Sequence, residues 1–401
     1  MMLALEIYRS MSRYTAAKAI GGRLPGLLVG PMAPVRLLTR EEPRVRHSGW
    51  ARVRPSLAGI CGSDLGVITG STSLYFAALA SMPFVPGHEL VGTLAEDCVD
   101  LPKGTRVVLE PVLACAARGL DPCDQCTAGR TNLCDRITVG HVAPGLQTGF
   151  CADTGGGWGE EMVAHRSQLH PVPDDLPDER AVLVEPLACA VQLARRAQVP
   201  PGGHVLVSGA GAVGLFATLA LRELTQAGRI TVVAKHPAQR DLARAFGATD
   251  VAVPDEALRA VRRATRALKP ATAGLPGPVV RAAGELLLGG VDVAVDAVGS
   301  TSSLDLALRA TRAGGRVVLS GMPSTGADLS PAWFRELEVA GTYAARGEDF
   351  ATAMALAGHA PLDGVVAGRY PLHRWREALD HAQSAGRLGS VKICFDVRST
   401  S

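Results

Sequence analysis

The stretch His204–Gly214, which reads HVLVSGAGAVG, decides how the rest of the chain is interpreted. Its first five residues are rich in valine and leucine and favour a buried strand. Gly209, Gly211 and Gly214 have G-x-G-x-x-G spacing, which is informative here because it follows a strand and opens a helix. The glycines permit a tight turn, the approach of a pyrophosphate and close helix packing, while free N–H groups at the helix start attract negative charge. We therefore predict a dinucleotide site at Gly209, Gly211, Ala212, Val213 and Gly214.

Strand-like and helical segments alternate around this loop. The predicted strands are His204–Ser208, Ile230–Ala234, Val251–Val253, Val291–Asp296 and Arg316–Ser320, and the predicted helices are Ala181–Gln198, Val213–Ala227, Pro237–Phe246 and Ser303–Ala313. Alternation of this kind is typical of parallel strands joined by right-handed crossovers, so we predict an α/β fold with a doubly wound parallel sheet. The stretch 255–290 is longer than a simple link, and its basic residues predict a helical insertion with a solvated face.

The end of the second predicted strand indicates which nicotinamide cofactor binds. In NAD-binding loops an acidic side chain about 20 residues after the glycines binds the ribose 2′-hydroxyl. Ala234 occupies this position here, and Lys235 and Arg240 follow it. Without the carboxylate a 2′-phosphate is not repelled, and Lys235 can pair with it, so NADP(H) is favoured over NAD(H). The alternative is that Lys235 is an ordinary exposed lysine at the end of a strand.

Four of the nine cysteines are clustered, at Cys115, Cys123, Cys126 and Cys134, with C-x7-C-x2-C-x7-C spacing. Four thiolates at short spacing suit a closed tetrahedral zinc site. Four unliganded thiols or a redox C-x-x-C pair are the alternatives. Clustered cysteines are metal ligands more often than disulfides in a reducing compartment, and no export signal is evident, so we expect a cytoplasmic protein.

A second set of metal-binding residue types is dispersed along the chain. Cys61 offers a thiolate, His88 an imidazole beside the Glu89 carboxylate, and Glu185 a carboxylate at the start of a helix. Three protein ligands with a fourth position open to water or substrate are what a catalytic zinc requires. The sequence alone does not bring these residues together, and each taken singly is more often structural.

Length and composition limit the other classes of protein. The 401 residues exceed one ordinary domain, and 47 % hydrophobic residues can fill two cores. A net charge of +3 is too small to indicate nucleic acid or an anionic membrane as a partner. No apolar run reaches the roughly 18 residues of a membrane span. We expect residues 1–34 to be an N-terminal extension whose first 20 residues form a helix lying on the fold.

From about residue 35 to residue 397, the chain resembles the zinc-dependent medium-chain dehydrogenase/reductase family, which includes alcohol, sorbitol and threonine dehydrogenases. The motifs that carry the resemblance are Gly59–Asp64 (GICGSD), Gly87–Gly92 (GHELVG), the four clustered cysteines, Glu185–Leu187 (EPL), Gly209–Gly214 and Val295–Gly299 (VDAVG). The resemblance implies a GroES-like, β-rich catalytic domain made of residues 1–187 and 342–401, around a Rossmann cofactor domain of residues 188–341. The EPL form is similar to the polyol and threonine dehydrogenase branch.

The resemblance also implies roles for individual residues. Cys61, His88 and Glu185 become ligands of a catalytic zinc, and Glu89 a carboxylate that can exchange onto it. Ser63 accepts the proton of the alcohol, and the four clustered cysteines hold a structural zinc. The implied activity is hydride transfer between an alcohol, polyol or sugar hydroxyl, or the matching carbonyl, and NAD(P), in a homodimer or homotetramer. The implied cofactor-binding residues beside the glycine loop are Ala234, Lys235, Arg240 and Val298.

Three features depart from the family pattern. Seven residues separate Cys115 from Cys123, where the family usually has two, and Gly66 stands where many members have a proton-relaying histidine. Ala234 replaces the common aspartate. Because Gly66 provides no relaying imidazole, the proton path beyond Ser63 is expected to run through the cofactor ribose or water. Two alternatives are a family member that reduces an activated double bond and a zinc- and nucleotide-binding sensor without turnover.

Overall fold

A computed structural model describes residues 1–20, 33–45, 47–270, 276, 285–322 and 326–399. The chain divides into two compact units. The first combines Met1–Ala188 with Ala344–Ser401, and the second is Cys189–Tyr343. Each unit contains its own cluster of buried apolar side chains.

The described strands, in chain order, are β1 (Met2–Ile7), β2 (Val35–Arg40), β3 (Trp50–Gly59), β4 (Leu90–Leu94), β5 (Arg106–Leu109), β6 (Met162–His165), β7 (Leu169–Pro171), β8 (His204–Ser208), β9 (Arg229–Val233), β10 (Asp250–Ala252), β11 (Val291–Asp296), β12 (Thr311–Leu319), β13 (Glu338–Gly341), β14 (Val366–Tyr370) and β15 (Lys392–Asp396).

The described α-helices are α1 (Met11–Ile20), α2 (Gly62–Ile68), α3 (Asp124–Thr127), α4 (Asp178–Ala181), α5 (Val184–Ala197), α6 (Ala212–Leu224), α7 (Pro237–Ala245), α8 (Ala257–Thr265), α9 (Thr301–Ala310), α10 (Ser330–Phe334), α11 (Gly347–His359) and α12 (Trp375–Leu388). Short 3-10 helices lie at Leu74–Leu79, Ala116–Arg118, Thr131–Leu133, Arg166–Gln168, Pro254–Glu256 and Leu372–Arg374.

The first unit is built on a mostly antiparallel sheet with the order β14-β15-β3-β4-β5-β7, in which β6 also pairs with β3. In β3, Ala51 and Val53 are buried while Arg54 is exposed, which is the alternation of a half-buried strand. The same core contains Trp158 and Phe395, whose ring centroids lie 5.1 Å apart. The C-terminal strand β15 therefore completes a sheet that begins near residue 50, and residues far apart in sequence meet there.

The second unit is a parallel sheet with the order β10-β9-β8-β11-β12-β13. Every residue of β8 is buried, as expected of a strand covered by helices on both faces. The strand order changes direction between β8 and β11, and ligands of such sheets bind at this switch point. The predicted doubly wound sheet is confirmed, and the glycine loop after β8 lies at its switch point.

The expectation of a single helix over the first 20 residues is wrong. β1 is a strand that pairs antiparallel with β2, in a register that runs from Met2 opposite Arg40 to Ile7 opposite Val35. Met2 and Ile7 are buried in the first core. Buried Glu6 forms ion pairs with arginines of β2. Long-range pairing and burial decide the structure of this segment over its helical pattern, and α1 begins only at Met11.

Two predicted boundaries also change. The helix expected over 181–198 is interrupted, so that α4 ends at Ala181 and α5 begins at Val184. Pro186 lies in the first turn of α5, where a missing N–H costs nothing. The strand expected from Arg316 begins instead at Thr311, and helix α9 ends at Ala310.

Part of the predicted insertion 255–290 lies outside the described residues, namely 271–275 and 277–284. In the described part, α8 buries Ala257 and Val261 and exposes Arg259 and Arg263. The prediction of a helix with a solvated basic face is confirmed for this segment.

Candidate active site

Cys61 and His88 are brought together by the pairing of β3 with β4. Cys61 follows β3 and is the N-cap of α2, while His88 and Glu89 come directly before β4. The two strands are antiparallel, and the Gly59 N–H donates to the Glu89 carbonyl at 2.7 Å. As a result, one donor atom from each of Cys61, His88 and Glu89 lies within 4.8 Å of the other two.

This donor set fits a zinc ion. It offers sulfur, nitrogen and oxygen, which are the ligand types that zinc takes in proteins. His88 and Glu89 are buried, with 4 % and 2 % of their surface exposed, whereas Cys61 is only partly buried. Two sheltered ligands beside a more accessible thiolate are suited to a metal that is reached by a small molecule from one side.

The Asp64 carboxylate faces the imidazole of His88. The Asp64 Oδ1 lies 3.5 Å from His88 Nδ1, and its Oδ2 accepts the backbone N–H of Cys61 at 3.0 Å. Burial alone lowers the pKa of His88, but the nearby Asp64 carboxylate and Cys61 sulfur outweigh it and raise that pKa well above its usual range. Because Nδ1 faces Asp64, Nε2 is the nitrogen left for a metal. The sequence motif contained Asp64, but its role was not predicted; its position three residues after a helix N-cap was the available signal.

Lys392 contacts the site from the other end of the chain. Its Nζ lies 2.5 Å from the Glu89 Oε2, and both side chains are 3 % exposed. Burial lowers the pKa of Lys392, but the Glu89 carboxylate outweighs it and raises the pKa above its ordinary value. A buried ion pair of this kind is strongly destabilising to break. Lys392 therefore holds the Glu89 carboxylate in place, a contact across 303 residues that no local sequence pattern announces.

Two other predicted residues lie in the same unit. Glu185 is buried in the first turn of α5, but its carboxylate is not part of the group formed by Cys61, His88 and Glu89. Its assignment as a zinc ligand stays a prediction. The Ser63 hydroxyl is buried without a hydrogen-bond partner among the described residues. Its role in accepting the proton of the alcohol stays a prediction.

The four clustered cysteines converge as the spacing predicted. All four sulfurs lie within 4.8 Å of one another, and the sulfurs of Cys115 and Cys134 are 3.6 Å apart. A tetrahedral site with Zn–S bonds of about 2.3 Å places its sulfurs about 3.8 Å apart, so the cluster has the size of a zinc site. The backbone N–H of Asp135, followed by that of Cys126, lowers the pKa of Cys123 to about 6, which favours a thiolate there. Burial raises the pKa of Cys126 and of Cys134, so these two thiols favour the protonated form until a metal binds.

Cys115 belongs to this cluster despite the longer loop that follows it. The inserted residues form the 3-10 turn Ala116–Arg118, and Gly119 reverses the chain with φ of 64°. The backbone N–H of Cys123 then donates to the Cys115 sulfur at 3.4 Å. The extra residues are folded into a compact turn and leave both cysteines facing the same point.

The glycine loop of the second unit fits a dinucleotide. Gly209 has φ of 105°, and a Cβ on Gly214 would overlap the Gly209 carbonyl oxygen. A Cβ on Gly211 would meet no atom within 4 Å, so the backbone there is open to a ligand. Gly211 is the N-cap of α6, whose first N–H groups suit a pyrophosphate.

The predicted residues around this loop occupy the ends of neighbouring parallel strands. Ala234 directly follows β9 and is buried, and Lys235 beyond it is exposed. Arg240 donates to the Lys235 carbonyl at 3.4 Å from the first turns of α7. Val298, after β11, is 52 % exposed, and its backbone N–H donates to Asp296 at 3.0 Å. These residues border the switch point at which a dinucleotide binds.

Comparison with known proteins agrees with this arrangement. The family model described as alcohol dehydrogenase GroES-like domain matches residues 47–174, and the one described as zinc-binding dehydrogenase matches residues 212–358. The L-idonate 5-dehydrogenase of Vitis vinifera is 30 % identical over 297 residues, covering 73 % of this chain and 72 % of that protein. The sorbitol dehydrogenase of Arabidopsis thaliana is 30 % identical and covers 73 % of each chain. A thermostable alcohol dehydrogenase from Pyrobaculum aerophilum has a TM-score of 0.70 at 26 % identity, covering 90 % of this chain and 95 % of that one.

A β-rich unit with two zinc-type clusters and a Rossmann unit with a dinucleotide loop define a zinc-binding dehydrogenase. The chain belongs to the zinc-dependent medium-chain dehydrogenase family. It is an NAD(P)-dependent oxidoreductase of alcohol and polyol hydroxyls, as the motifs predicted. The alternatives of a double-bond reductase and of a sensor without turnover are not favoured by these relatives.

Replacing Asp64 with Asn tests its role beside His88. Asparagine keeps an acceptor for the Cys61 N–H but removes the charge that faces the imidazole. We expect metal affinity and kcat/KM to fall by about 10- to 100-fold, the usual effect of losing such a support of a ligand. Zinc retention during dialysis against a chelator and steady-state rates measure it. Asp175→Asn, at an exposed position, is the control, and an Asp64→Asn enzyme that matches it in both readouts contradicts the role.

Proposed function

We propose that this enzyme interconverts a polyol and the corresponding ketose or sugar carbonyl, with NADP as the preferred cofactor. The observation that carries the proposal is the convergence of Cys61 with the buried His88 and Glu89, which contact Asp64 and Lys392 respectively. The relatives that oxidise idonate and sorbitol support a polyol substrate.

In this proposal Cys61 and His88 hold the catalytic zinc, with Glu185 as the third ligand. Glu89 stays on its ion pair with Lys392 and can exchange toward the metal, because its carboxylate is already within 4.8 Å of the Cys61 and His88 donors. When bound, zinc supplies Lewis-acid polarisation of the substrate oxygen. The protein contributes metal-binding side chains, of which His88 and Glu89 are buried. Their contacts with Asp64 and Lys392 hold them in place before the substrate binds.

Ser63 moves the substrate proton. Its unpartnered Oγ accepts the hydroxyl proton of the alcohol while donating its own onward to water or to the cofactor ribose, so no charge accumulates on the serine. Gly66, where a histidine could have continued the relay, leaves this step to solvent or ribose. Loss of the proton leaves the alcohol oxygen electron-rich, which favours departure of hydride from its carbon.

The loop Gly209–Gly214 positions the cofactor. Its open Gly211 backbone and the N-terminus of α6 bind the pyrophosphate. A nicotinamide bound there would supply the hydride acceptor for alcohol oxidation and the hydride donor for carbonyl reduction. Lys235 and Arg240 are the cations beside the expected 2′-phosphate, and Ala234 offers no carboxylate to repel it. These side chains support the preference for NADP over NAD.

A panel of alcohols, polyols and sugars, run in parallel with NAD⁺ and NADP⁺, tests the proposal. Zinc is measured on the same sample. We expect NADPH formation with one or more polyols, slower turnover with NAD⁺, and close to two zinc ions per chain. Undiminished turnover in a metal-free preparation, or zinc and cofactor binding without turnover of any compound, overturns it.

We further propose that two chains associate through strand β13, as a homodimer or as part of a homotetramer. β13 is the last strand in the sheet order and pairs with β12 on one side. Val339 on this strand and Trp333 and Phe334 on α10 are 44 %, 83 % and 66 % exposed. An open edge flanked by large apolar side chains is suited to pairing with a second copy of itself.

Light scattering after size-exclusion chromatography tests the assembly. Val339→Lys places a charge on the edge strand and should halve the molar mass, from a dimer to a monomer or from a tetramer to a dimer. Leu224→Lys, at an exposed apolar position of α6, is the matched control and should leave the mass unchanged. A monomeric wild-type protein, or a Val339→Lys protein of unchanged mass, contradicts this interface.

The cytoplasm is the proposed compartment, because a cluster of four cysteines is a metal site more often than a set of disulfides where the environment is reducing. Within the described part of the chain, no helix is both long and apolar enough to cross a bilayer.

A further inference from the structure

Arg118 is an unusual residue in the loop that separates Cys115 from Cys123. It ends the 3-10 turn Ala116–Arg118, three residues after Cys115. Its side chain is 0 % exposed, although arginine is almost never fully buried unless it is paired. None of the ion pairs found among the described residues includes Arg118. Such a buried cation requires both hydrogen bonds and a source of negative charge.

Backbone carbonyls supply the hydrogen bonds. The guanidinium donates to carbonyl oxygens on both sides of the cysteine cluster, namely Leu113 at 2.9 Å, Val139 at 3.0 Å, Val142 at 3.1 Å, Ala143 at 3.4 Å and Gly145 at 2.7 Å. The backbone carbonyl of Arg118 also accepts the N–H of His141 at 3.2 Å. One side chain thus fastens the chain just before Cys115 to the chain that follows Cys134.

The backbone of Arg118 also connects it to the four-cysteine cluster. Its N–H donates to the carbonyl of Cys115, one of the four cysteines, at 3.0 Å. Four thiolates around a divalent ion carry a net charge of two minus, in a region where the low dielectric constant strengthens attraction to a cation.

We propose that Arg118 is a positioning residue of the four-cysteine zinc site, which closes the lobe around the metal and balances the charge of its thiolates. This inference rests on the proposed function, whose second zinc ion the four clustered cysteines would hold. It explains how a loop of seven residues between Cys115 and Cys123 can hold a metal that a shorter loop usually holds. The coupling is reciprocal: zinc binding favours the buried guanidinium, and the guanidinium favours bound zinc.

Zinc release to a coloured chelator, compared with thermal unfolding of the zinc-loaded and zinc-depleted proteins, tests the proposal. Arg118→Met keeps an unbranched, largely apolar stem but removes the charge and the hydrogen-bond donors. We expect about 10- to 100-fold faster release of one zinc per chain, the range seen when support of a metal ligand is lost. Arg118→Lys restores the charge and should recover part of the retention. Arg387→Met, at an exposed arginine of α12, should release zinc like the wild type.

Thermal unfolding separates this role from that of a simple packing residue. If Arg118 only packs the lobe, Arg118→Met lowers the melting temperature equally with and without zinc, and zinc release by the folded protein is unchanged. An equal fall in melting temperature with and without zinc overturns the proposal, and so does an unchanged rate of zinc release. If Cys126→Ser does not remove one zinc from the wild-type count, the structural site itself is absent, and the inference fails at its premise while the catalytic site stands. Where Arg118→Met does not fold, Arg118→Lys and Arg118→Gln give the same comparison.

Discussion

Replacing Cys61 with Ser should reduce kcat/KM by about 1,000-fold or more while the fold is retained. Lewis-acid stabilisation by a metal contributes several kcal/mol, and each 1.36 kcal/mol corresponds to a factor of about ten in rate. The fold should survive because Cys61 is only partly buried and its side chain is outside the apolar core. His88→Gln should have the same effect, since it removes the nitrogen donor and leaves Asp64 facing an uncharged amide.

Cys126→Ser is the contrasting variant. It removes one sulfur of the four-cysteine cluster. The Cys126 side chain packs against Val112, Ala114 and the other three cysteines of the cluster, and not against the Cys61 site. We expect one zinc to be lost and the melting temperature to fall by about 5–10 °C, as for a loss of roughly 2–4 kcal/mol in a domain of this size. Activity per folded molecule at low temperature should be largely kept.

Metal content, circular dichroism and initial rates measured on both variants decide between the two roles. Cys61→Ser should unfold near the wild-type temperature and hold one zinc at the cysteine cluster. If Cys61→Ser retains wild-type activity, the catalytic site has been placed wrongly. If Cys126→Ser loses activity without losing stability, the assignments of the two sites are reversed.

The convergence of Cys61 and His88 was predicted only through resemblance, but the structure gives it a physical reason. Both residues sit at the adjoining ends of two strands that are antiparallel neighbours, so pairing of β3 with β4 is sufficient to bring them together. The four-cysteine cluster needed less, because its members are within 20 residues and a few tight turns suffice. Local spacing therefore predicted the compact site better than the dispersed one.

Contacts that join distant segments had no signal in the sequence. Lys392 reaches Glu89 because β15 returns to pair with β3, and nothing near Lys392 marks it as a partner of a carboxylate. β1 was mistaken for part of a helix for the same reason, since its pairing with β2 and its burial arise only in the folded chain. Arg118 was missed for another reason. An arginine in a loop is normally expected to be exposed, and only the folded structure shows that backbone carbonyls surround its guanidinium.

The glycine loop was predicted in full because its chemistry is local. Strand, turn and helix start occupy eleven consecutive residues, His204–Gly214, and β8 has the predicted bounds His204–Ser208. In the proposed function, the choice of nicotinamide depends on a contact between the end of β9 and the ribose, where Ala234 leaves no carboxylate. A substitution at this position therefore tests the cofactor preference directly.

Ala234→Asp should reverse that preference. The new carboxylate accepts the 2′-hydroxyl of NAD but faces the 2′-phosphate of NADP with like charge, and it competes for Lys235. We expect the ratio of kcat/KM for NADP⁺ to that for NAD⁺ to fall by about 100-fold, equivalent to roughly 2.7 kcal/mol. Lys235→Ala should lower only the NADP⁺ value, by about tenfold, because one charge-assisted contact is lost.

Arg244→Ala provides the matched control for both variants. Arg244 is an exposed cation on α7 that pairs with Asp241 and should leave the ratio unchanged. Because Ala234 is buried, Ala234→Asp is accepted for comparison only when its melting temperature stays near that of the wild type. A well-folded Ala234→Asp enzyme and a Lys235→Ala enzyme that both keep the wild-type ratio of kcat/KM values would contradict this prediction. The residues at the end of β9 would then not contact the 2′-position of the ribose, and the proposed NADP preference would lose its structural basis.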